Sequence, residues 1–152
     1  MSDKWGSGKK GYIKIHVAVD IKTKEILALE VTDEKVHDSK MMKKLVENVL
    51  KIKPNKKKIK SLLGDGAYDS NDNFRVLNEK KIDPIIKVKR NSAVILSRNN
   101  MIRNKEVRQQ KTKDFLKWKK KKRYGHRWMA KETAFLAIKR MFDGEHIIAT
   151  SF

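Results

Sequence analysis

An acidic residue set at a glycine turn is the first candidate for chemistry in this chain. Asp65 stands in the run SLLGDGAYDS (61–70), where an apolar pair leads into Gly64 and Gly66 follows the carboxylate. A buried strand delivers a carboxylate in this way to its C-terminal end, where α/β proteins commonly place their chemistry. The simpler alternative is an ordinary turn between a strand and a helix, in which aspartate only shapes the turn.

A second candidate group lies near the C-terminal end of the chain. Glu132 and Lys139 are seven residues apart in a helical pattern, so they fall on nearly the same helix face. Tyr124 and Arg127 stand just upstream. Carboxylates hold divalent metals, and cations and hydroxyls bind phosphates, so the group suits phosphodiester chemistry. The alternative is that Glu132 complements the helix dipole and Lys139 is merely solvated.

The net charge indicates a polyanionic partner. Lys and Arg number 38 against 18 acidic residues, which gives a net charge of +20. The charge is also clustered: residues 105–127 hold eleven basic and two acidic residues, and residues 53–60 hold five lysines. Nucleic acid is the usual partner of such a protein, although a compositional bias toward lysine would produce the same total. A membrane surface is disfavoured because the basic stretches lack a clean apolar face.

Composition excludes several classes of protein. The 152 residues suffice for one domain with a core, and the chain contains no cysteine for disulfides or thiolate metal sites. No apolar run approaches the length of a membrane span, and no apolar segment follows the N-terminus as in a signal peptide. We therefore expect a cytoplasmic protein.

Hydrophobic periodicity predicts a mixed α/β domain over residues 1–152. The predicted order is two strands forming an antiparallel hairpin, a helix, a central strand, a helix, a strand and, after a basic irregular insert, a last helix. The corresponding ranges are 12–20, 25–32, 39–50, 59–64, 71–81, 82–88, 89–128 and 128–142. Asp38 is the expected N-cap of the first helix, and Asp69 or Ser70 that of the second. Pro84 favours an edge position or a strand start for the last strand.

Taken together, these patterns resemble the DDE-type transposases of bacterial and archaeal insertion sequences. Four segments resemble sequence motifs of that family: KIHVAVD (14–20), EILALEVT (25–32), VHDS (36–39) and DGAYDS (65–70). The family's last motif, Y-x2-R-x3-E-x6-K, is matched at both ends, although four residues rather than three separate Arg127 from Glu132. The run KRMFDGEHIIA (139–149) resembles the family's KRxFGE text with Asp143 as an extra residue.

The resemblance implies a fold, an activity and roles for these residues. The fold is an RNase H-like mixed sheet, with the hairpin joined to the parallel strands. Asp65 and Glu132 correspond to the second and third carboxylates of a triad that binds two divalent ions, Mg²⁺ or Mn²⁺. Such an enzyme first cleaves the element's end and then joins its 3′-OH to target DNA. Tyr124, Arg127 and Lys139 correspond to residues that contact DNA.

One member of the implied triad has no counterpart. In the family, the first aspartate lies on a strand that pairs antiparallel with the KIHVAVD strand. Asp3 is the only acidic residue before Tyr12, and Asp20 stands at the far end of its own strand. The chain also stops before the apolar helices that usually close the fold, and it has no separate N-terminal DNA-binding domain. We therefore expect a partial transposase domain, truncated at both ends and catalytically incomplete.

The sequence leaves two alternative functions and one expectation about self-association. The alternative to a transposase is a non-catalytic basic DNA-binding remnant. A basic RNA-associated protein ranks lower, because only Tyr12 is a candidate for stacking a base on the first strand. An unpaired edge on the strand at 12–20 favours aggregation or a homodimer.

Overall fold

The computed structural model describes most of the chain. The described residues are 11–52, 59–96, 101–112 and 114–141. They form four strands and five helices. Their bounds are β1 (Ile13–Val19), β2 (Ile26–Asp33), α1 (Asp38–Ile52), β3 (Ser61–Gly64), α2 (Asn71–Glu79), β4 (Asp83–Ile86), α3 (Met101–Thr112), α4 (Phe115–Lys121) and α5 (Arg127–Met141).

The predicted antiparallel hairpin is confirmed. β1 pairs with β2 from Ile13 opposite Asp33 to Val19 opposite Ile26. The Asp20 carboxylate closes the turn, because its Oδ1 accepts hydrogen bonds from the backbone N–H groups of Lys22 and Thr23. Aspartate commonly stabilises turns in this manner.

Helices cover both faces of the hairpin. α1 lies on one face, where its residues Leu45 and Val49 are buried with Ala28 of β2. α5 lies on the other face, where Val17 of β1 is buried with Ala134 and Ile138. Asp38 is the first residue of α1 rather than its cap, and its carboxylate lies 3.5 Å from the Lys14 ammonium group.

The second sheet holds the strand that precedes Asp65. β3 pairs in parallel with β4, from Ser61 opposite Asp83 to Gly64 opposite Ile86, and α2 connects the two strands. Ser70 caps α2 by accepting a hydrogen bond from the Asn73 N–H group. Within the described residues β4 has one neighbour, so no second strand needs the N–H group that Pro84 lacks.

The fold is mixed α/β, as predicted, but over the described ranges the strands form two separate two-stranded sheets. An apolar cleft of about 510 Å³ separates β1 from β3. Its walls include Val17, Leu62 and Leu63 from the strands and Leu45 and Ile138 from the helices. The expectation that β3 is central in one joined sheet is therefore not met by the strands that are described.

The basic segment expected to be irregular, with short helical pieces, contains two helices. α3 and α4 lie within residues 89–128, and α3 buries Arg103, Asn104, Glu106 and Gln110 but little apolar surface beyond Val107. Apolar periodicity could not predict α3, because its inward face is mostly polar. The helix predicted at 128–142 is α5; Phe142, Gly144 and the tail that follows lie outside the described residues, as do Asp3 and its neighbours.

Candidate active site

Asp65 lies directly beyond the C-terminal end of β3 and caps a short 3₁₀ turn, Gly66–Tyr68. Its Oδ1 accepts a hydrogen bond of 2.9 Å from the Ala67 N–H group, while the side chain stays partly exposed. A Cβ atom on Gly64 would lie 3.4 Å from the Tyr68 ring, so the turn packs directly against the end of the strand. The carboxylate therefore shapes the turn with one oxygen and offers the other to a partner.

The partner of the second oxygen is Arg127, the first residue of α5. Its Nη1 lies 3.5 Å from Asp65 Oδ2 across 62 residues of sequence. The guanidinium group also lies over the rings of Tyr124, at 5.2 Å, and Trp128, at 5.4 Å. Cation–π contacts of this kind hold a guanidinium group in place. The structure thus brings together three residues predicted for the site: Asp65, Tyr124 and Arg127.

Tyr124 anchors an aromatic stack beneath this group. Its ring lies 5.3 Å from that of Trp118, which stacks on Phe115 at 5.5 Å. Burial raises the pKa of the Tyr124 hydroxyl, while the neighbouring Arg127 acts in the opposite direction. The hydroxyl is therefore a neutral hydrogen-bonding group at neutral pH rather than a base.

Asp65 and Arg127 line a basic cleft of about 730 Å³. Its walls come from the 3₁₀ turn, the residues after β4, the end of α3 and the region around Tyr124. Among the residues that the structure describes, one carboxylate, that of Asp65, and five cationic side chains line the cleft: Lys87, Lys89, Arg90, Lys111 and Arg127. Such a cleft favours anions of high charge density, above all phosphates.

A buried ion pair connects three segments around this cleft. Arg103 of α3 contacts Asp69 in bidentate fashion, with Nε at 2.7 Å from Oδ1 and Nη2 at 3.1 Å from Oδ2. The Asp69 side chain is fully buried and also accepts hydrogen bonds from the Ser92 hydroxyl and from the Lys89 N–H group. Burial raises the pKa of Asp69, but the hydrogen bonds from Arg103, Ser92 and Lys89 outweigh it and hold the pKa below its ordinary value.

Gln110 adds a second polar contact between α3 and the same wall. Its Oε1 accepts from the Val88 N–H group at 3.0 Å, and its Nε2 donates to the Ile86 carbonyl at 2.8 Å. The side chain therefore pairs with the backbone at the end of β4 as a neighbouring strand would. Asp69, Arg103 and Gln110 together form what we call the polar clamp.

Glu132 and Lys139 lie apart from the cleft. Both side chains are exposed on α5, and the Lys139 ammonium group lies 4.5 Å from the centre of the Phe135 ring. Five residues of α-helix turn the chain by about 140° between Arg127 and Glu132. Since Arg127 points at Asp65, Glu132 points elsewhere, and neither Glu132 nor Lys139 lines the cleft.

Comparison with known proteins decides the family. The sequence model of the family described as Transposase DDE domain matches residues 2–152, essentially the whole chain. The chain belongs to the transposase DDE domain family. No solved structure matches the chain. In the part of the chain that the structure describes, no helix has the length and apolar character to cross a membrane.

The described residues of this transposase domain do not assemble a site for a pair of divalent ions. Two-ion sites bridge the metals with several carboxylates. Among residues 11–52, 59–96, 101–112 and 114–141, no three His, Asp or Glu side chains converge. Asp65 fits a single ion through Oδ2, the oxygen now facing Arg127, whereas Glu132 is turned away.

Sequence reasoning missed the cations that line the cleft and the clamp that holds them. Asp69 was read only as a possible helix cap, because its partner Arg103 is 34 residues away in a segment without clear periodicity. Lys87 and Lys89 alternate with buried Val88 at the end of a strand pattern. That alternation was visible in the sequence and could have indicated a basic strand edge.

Proposed function

We propose that this chain acts on DNA as part of a transposase. The proposal is carried by one observation: in a chain of the transposase DDE domain family, Asp65 stands in a cleft of cations beside Tyr124 and Arg127. The reaction class is phosphodiester hydrolysis at the element's end, followed by attack of the freed 3′-OH on target DNA. A DNA sugar–phosphate backbone that enters the cleft would contact Arg127 and the aromatic stack next to the Asp65 carboxylate.

Asp65 and Glu132 are the proposed metal ligands, and Tyr124, Arg127 and Lys139 the proposed DNA contacts. Mg²⁺ or Mn²⁺, when bound, would polarise the scissile phosphate and activate the attacking oxygen. For Glu132 to face Asp65, α5 must turn about its axis or shift relative to β3. Arg127 would leave Asp65 in the same movement, which frees Oδ2 and places the guanidinium group at a phosphate.

We further propose that the fold is RNase H-like, with one mixed sheet. The apolar cleft between β1 and β3 supports this arrangement, because it lies between the hairpin and the parallel pair that such a sheet would join. A strand in this position would pair with β1 and bury the apolar walls. It would also carry a further carboxylate to the edge of the sheet where Asp65 lies.

For the given residues alone we propose DNA binding without cleavage. Asp65 is the one carboxylate of the described residues that lines the cleft, and a single carboxylate holds paired ions poorly. The catalytically silent, DNA-binding remnant is therefore the second candidate function. Membership of the transposase DDE domain family favours it over a role in RNA binding.

The test is a nicking assay on duplex DNA carrying the element's ends. The purified chain with Mg²⁺ or Mn²⁺ is expected to bind this DNA and leave both strands intact. Nicking that disappears in Asp65→Ala would show that the chain is active and that another residue completes its metal site. Absence of any DNA binding would contradict both candidate functions.

The roles of Asp65 and Glu132 are tested separately by Mn²⁺ binding in the presence of DNA. Asp65→Asn is expected to abolish the tightest site, and Glu132→Gln to weaken it about 10-fold or more. Glu79→Gln removes an exposed helical carboxylate outside the cleft and serves as the matched control. Unchanged Mn²⁺ affinity in Glu132→Gln would remove Glu132 from the site.

A further inference from the structure

The wall of the cleft that follows β4 carries a row of exposed cations. We propose that Lys87, Lys89, Arg90 and Lys111 form a track that binds the sugar–phosphate backbone of duplex DNA beside Asp65. This proposal rests on the proposed DNA-directed function and adds a second binding surface to the proposed contacts at Tyr124, Arg127 and Lys139. We call these four residues the track.

The backbone geometry sets the spacing of the first cations. The Lys87 N–H group donates to the Gly64 carbonyl at 3.2 Å, so the chain continues the β3–β4 pairing beyond the end of β4. Val88 is buried while Lys87 and Lys89 are exposed. Alternate residues of an extended chain point to the same side, about 6.6 Å apart. Two ammonium groups are therefore presented in sequence along one wall.

The polar clamp fixes this wall from behind. The Val88 N–H group is held by Gln110, and the Lys89 N–H group by the buried Asp69 carboxylate at 2.8 Å. Arg103 holds Asp69 in turn. A wall that is already ordered loses less conformational entropy when a ligand binds. The clamp therefore holds the backbone of the exposed lysines in place before a long, regular ligand binds.

The fourth cation comes from the end of α3. Lys111 follows Gln110 directly, so the residue that grips the end of β4 also positions an ammonium group at the cleft. On the other side, the backbone approaches closely: a Cβ atom on Gly66 would lie 3.6 Å from the Lys87 carbonyl oxygen. The track and the turn that carries Asp65 are thus neighbours in one cleft.

In the described part of the chain, the cations of the track lie apart from carboxylates. Within the described ranges, none of its four side chains forms an ion pair, and Lys87 contacts only the face of the Phe115 ring at 5.5 Å. Elsewhere, Lys14, Lys44 and Lys122 each contact a carboxylate. Uncompensated cations in a concave surface concentrate the field that attracts a polyanion.

The experiment compares the salt dependence of DNA binding in two variants with the same charge change. The track variant carries Lys87→Gln, Lys89→Gln, Arg90→Gln and Lys111→Gln. The control variant carries Lys35→Gln, Lys40→Gln, Lys43→Gln and Lys51→Gln, which remove four exposed cations outside the cleft. All eight side chains are exposed, so thermal unfolding of both variants is expected to match that of the wild type.

Each lost phosphate contact lowers the slope of log K against log[salt] by about 0.9. The track variant is therefore expected to lose about 3–4 units of slope, and its affinity for generic duplex DNA to fall about 150-fold less than that of the wild type between 50 and 200 mM salt. The control variant is expected to keep nearly the wild-type slope.

Three results would overturn the proposal. If the two variants lose equal slope, binding follows total charge and there is no track. If the track variant keeps the slope of a wild type that binds steeply, DNA binding stands but uses another surface. If the wild type shows no salt-dependent binding at all, the proposed function fails and the track fails with it.

Discussion

α1 and α3 are held to their strands by opposite kinds of contact. α1 lies on the hairpin through buried apolar side chains, Leu45 and Val49. α3 instead contacts the end of β4 through Gln110, and it contacts the buried Asp69 carboxylate through Arg103. Apolar burial is non-directional, so many side chains of similar volume serve. Hydrogen bonds and buried ion pairs require defined positions for both partners. The region that borders the cleft is therefore held by hydrogen bonds and ion pairs of defined direction. The hairpin region is held by apolar side chains, for which volume matters more than direction.

The largest expected effect comes from removing one member of the buried ion pair. Arg103→Met leaves the Asp69 carboxylate buried without its cation, which is expected to lower the free energy of unfolding by about 3–5 kcal/mol. Arg75→Met removes an exposed ion pair with Asp72 and is expected to change it by about 0–1 kcal/mol. Urea unfolding measures both. Equal losses of the free energy of unfolding would mean that the polar clamp stabilises the fold no more than an exposed ion pair does.

A shape-conserving substitution in each helix sharpens the comparison. Gln110→Met leaves the Val88 N–H group and the Ile86 carbonyl unpaired, at about 1–3 kcal/mol for each unsatisfied group. Leu45→Met in α1 preserves volume and is expected to lower the free energy of unfolding by less than about 1.5 kcal/mol. If Leu45→Met lowered the free energy of unfolding more than Gln110→Met, side-chain packing rather than hydrogen-bond direction would decide which substitutions both helices tolerate.

The pH dependence of stability is expected to separate the two regions. In the hairpin, burial lowers the pKa of His16 below 6.5, against the effect of Asp38 and Glu30 and together with that of Lys14. The unfolded chain then binds more protons, so the stability due to neutral His16 is complete above pH 6.5 and is lost as the pH falls below it.

The polar clamp responds in a more acidic range. The pKa of Asp69 is lower in the folded than in the unfolded chain, so its contribution is complete above about pH 3.8 and is lost as the pH falls further. Urea unfolding of the wild type, His16→Gln and Asp69→Asn at pH 7, 5 and 3 tests both signs. Between pH 7 and 5 His16→Gln should lose less stability than the wild type, and between pH 5 and 3 Asp69→Asn should lose less. An identical profile for all three proteins would refute both assignments.

The smallest expected effect concerns self-association through β1. Each of the four described strands has one neighbour; β4 contains Pro84, whereas β1 contains no proline to block a further strand. We expect a weak homodimer that forms through β1. Sedimentation velocity over a range of concentrations measures it, and a monomer at every concentration would contradict the expectation.

Much of the fold could be predicted from periodicity. The alternation of Ile13, Ile15 and Val17 predicted β1, and the apolar stripe of 42–50 predicted α1, because both elements bury one apolar face. The parallel pairing of β3 with β4 also agreed with the mixed α/β prediction. The bounds of α3 could not be predicted because its buried face is polar. No local pattern reveals that Arg103 and Asp69 are partners.

The sequence by itself determined the family, the basic charge and the carboxylate at the end of β3. Those properties depend on residue identity and on short spacings such as DGAYDS. The tertiary structure decided which residues meet: it placed Arg127 and Tyr124 beside Asp65, turned Glu132 away and added Lys87 and Lys89 to the cleft. Contacts across tens of residues depend on how α3 and α5 pack, and packing is a property of the whole chain rather than of any single segment.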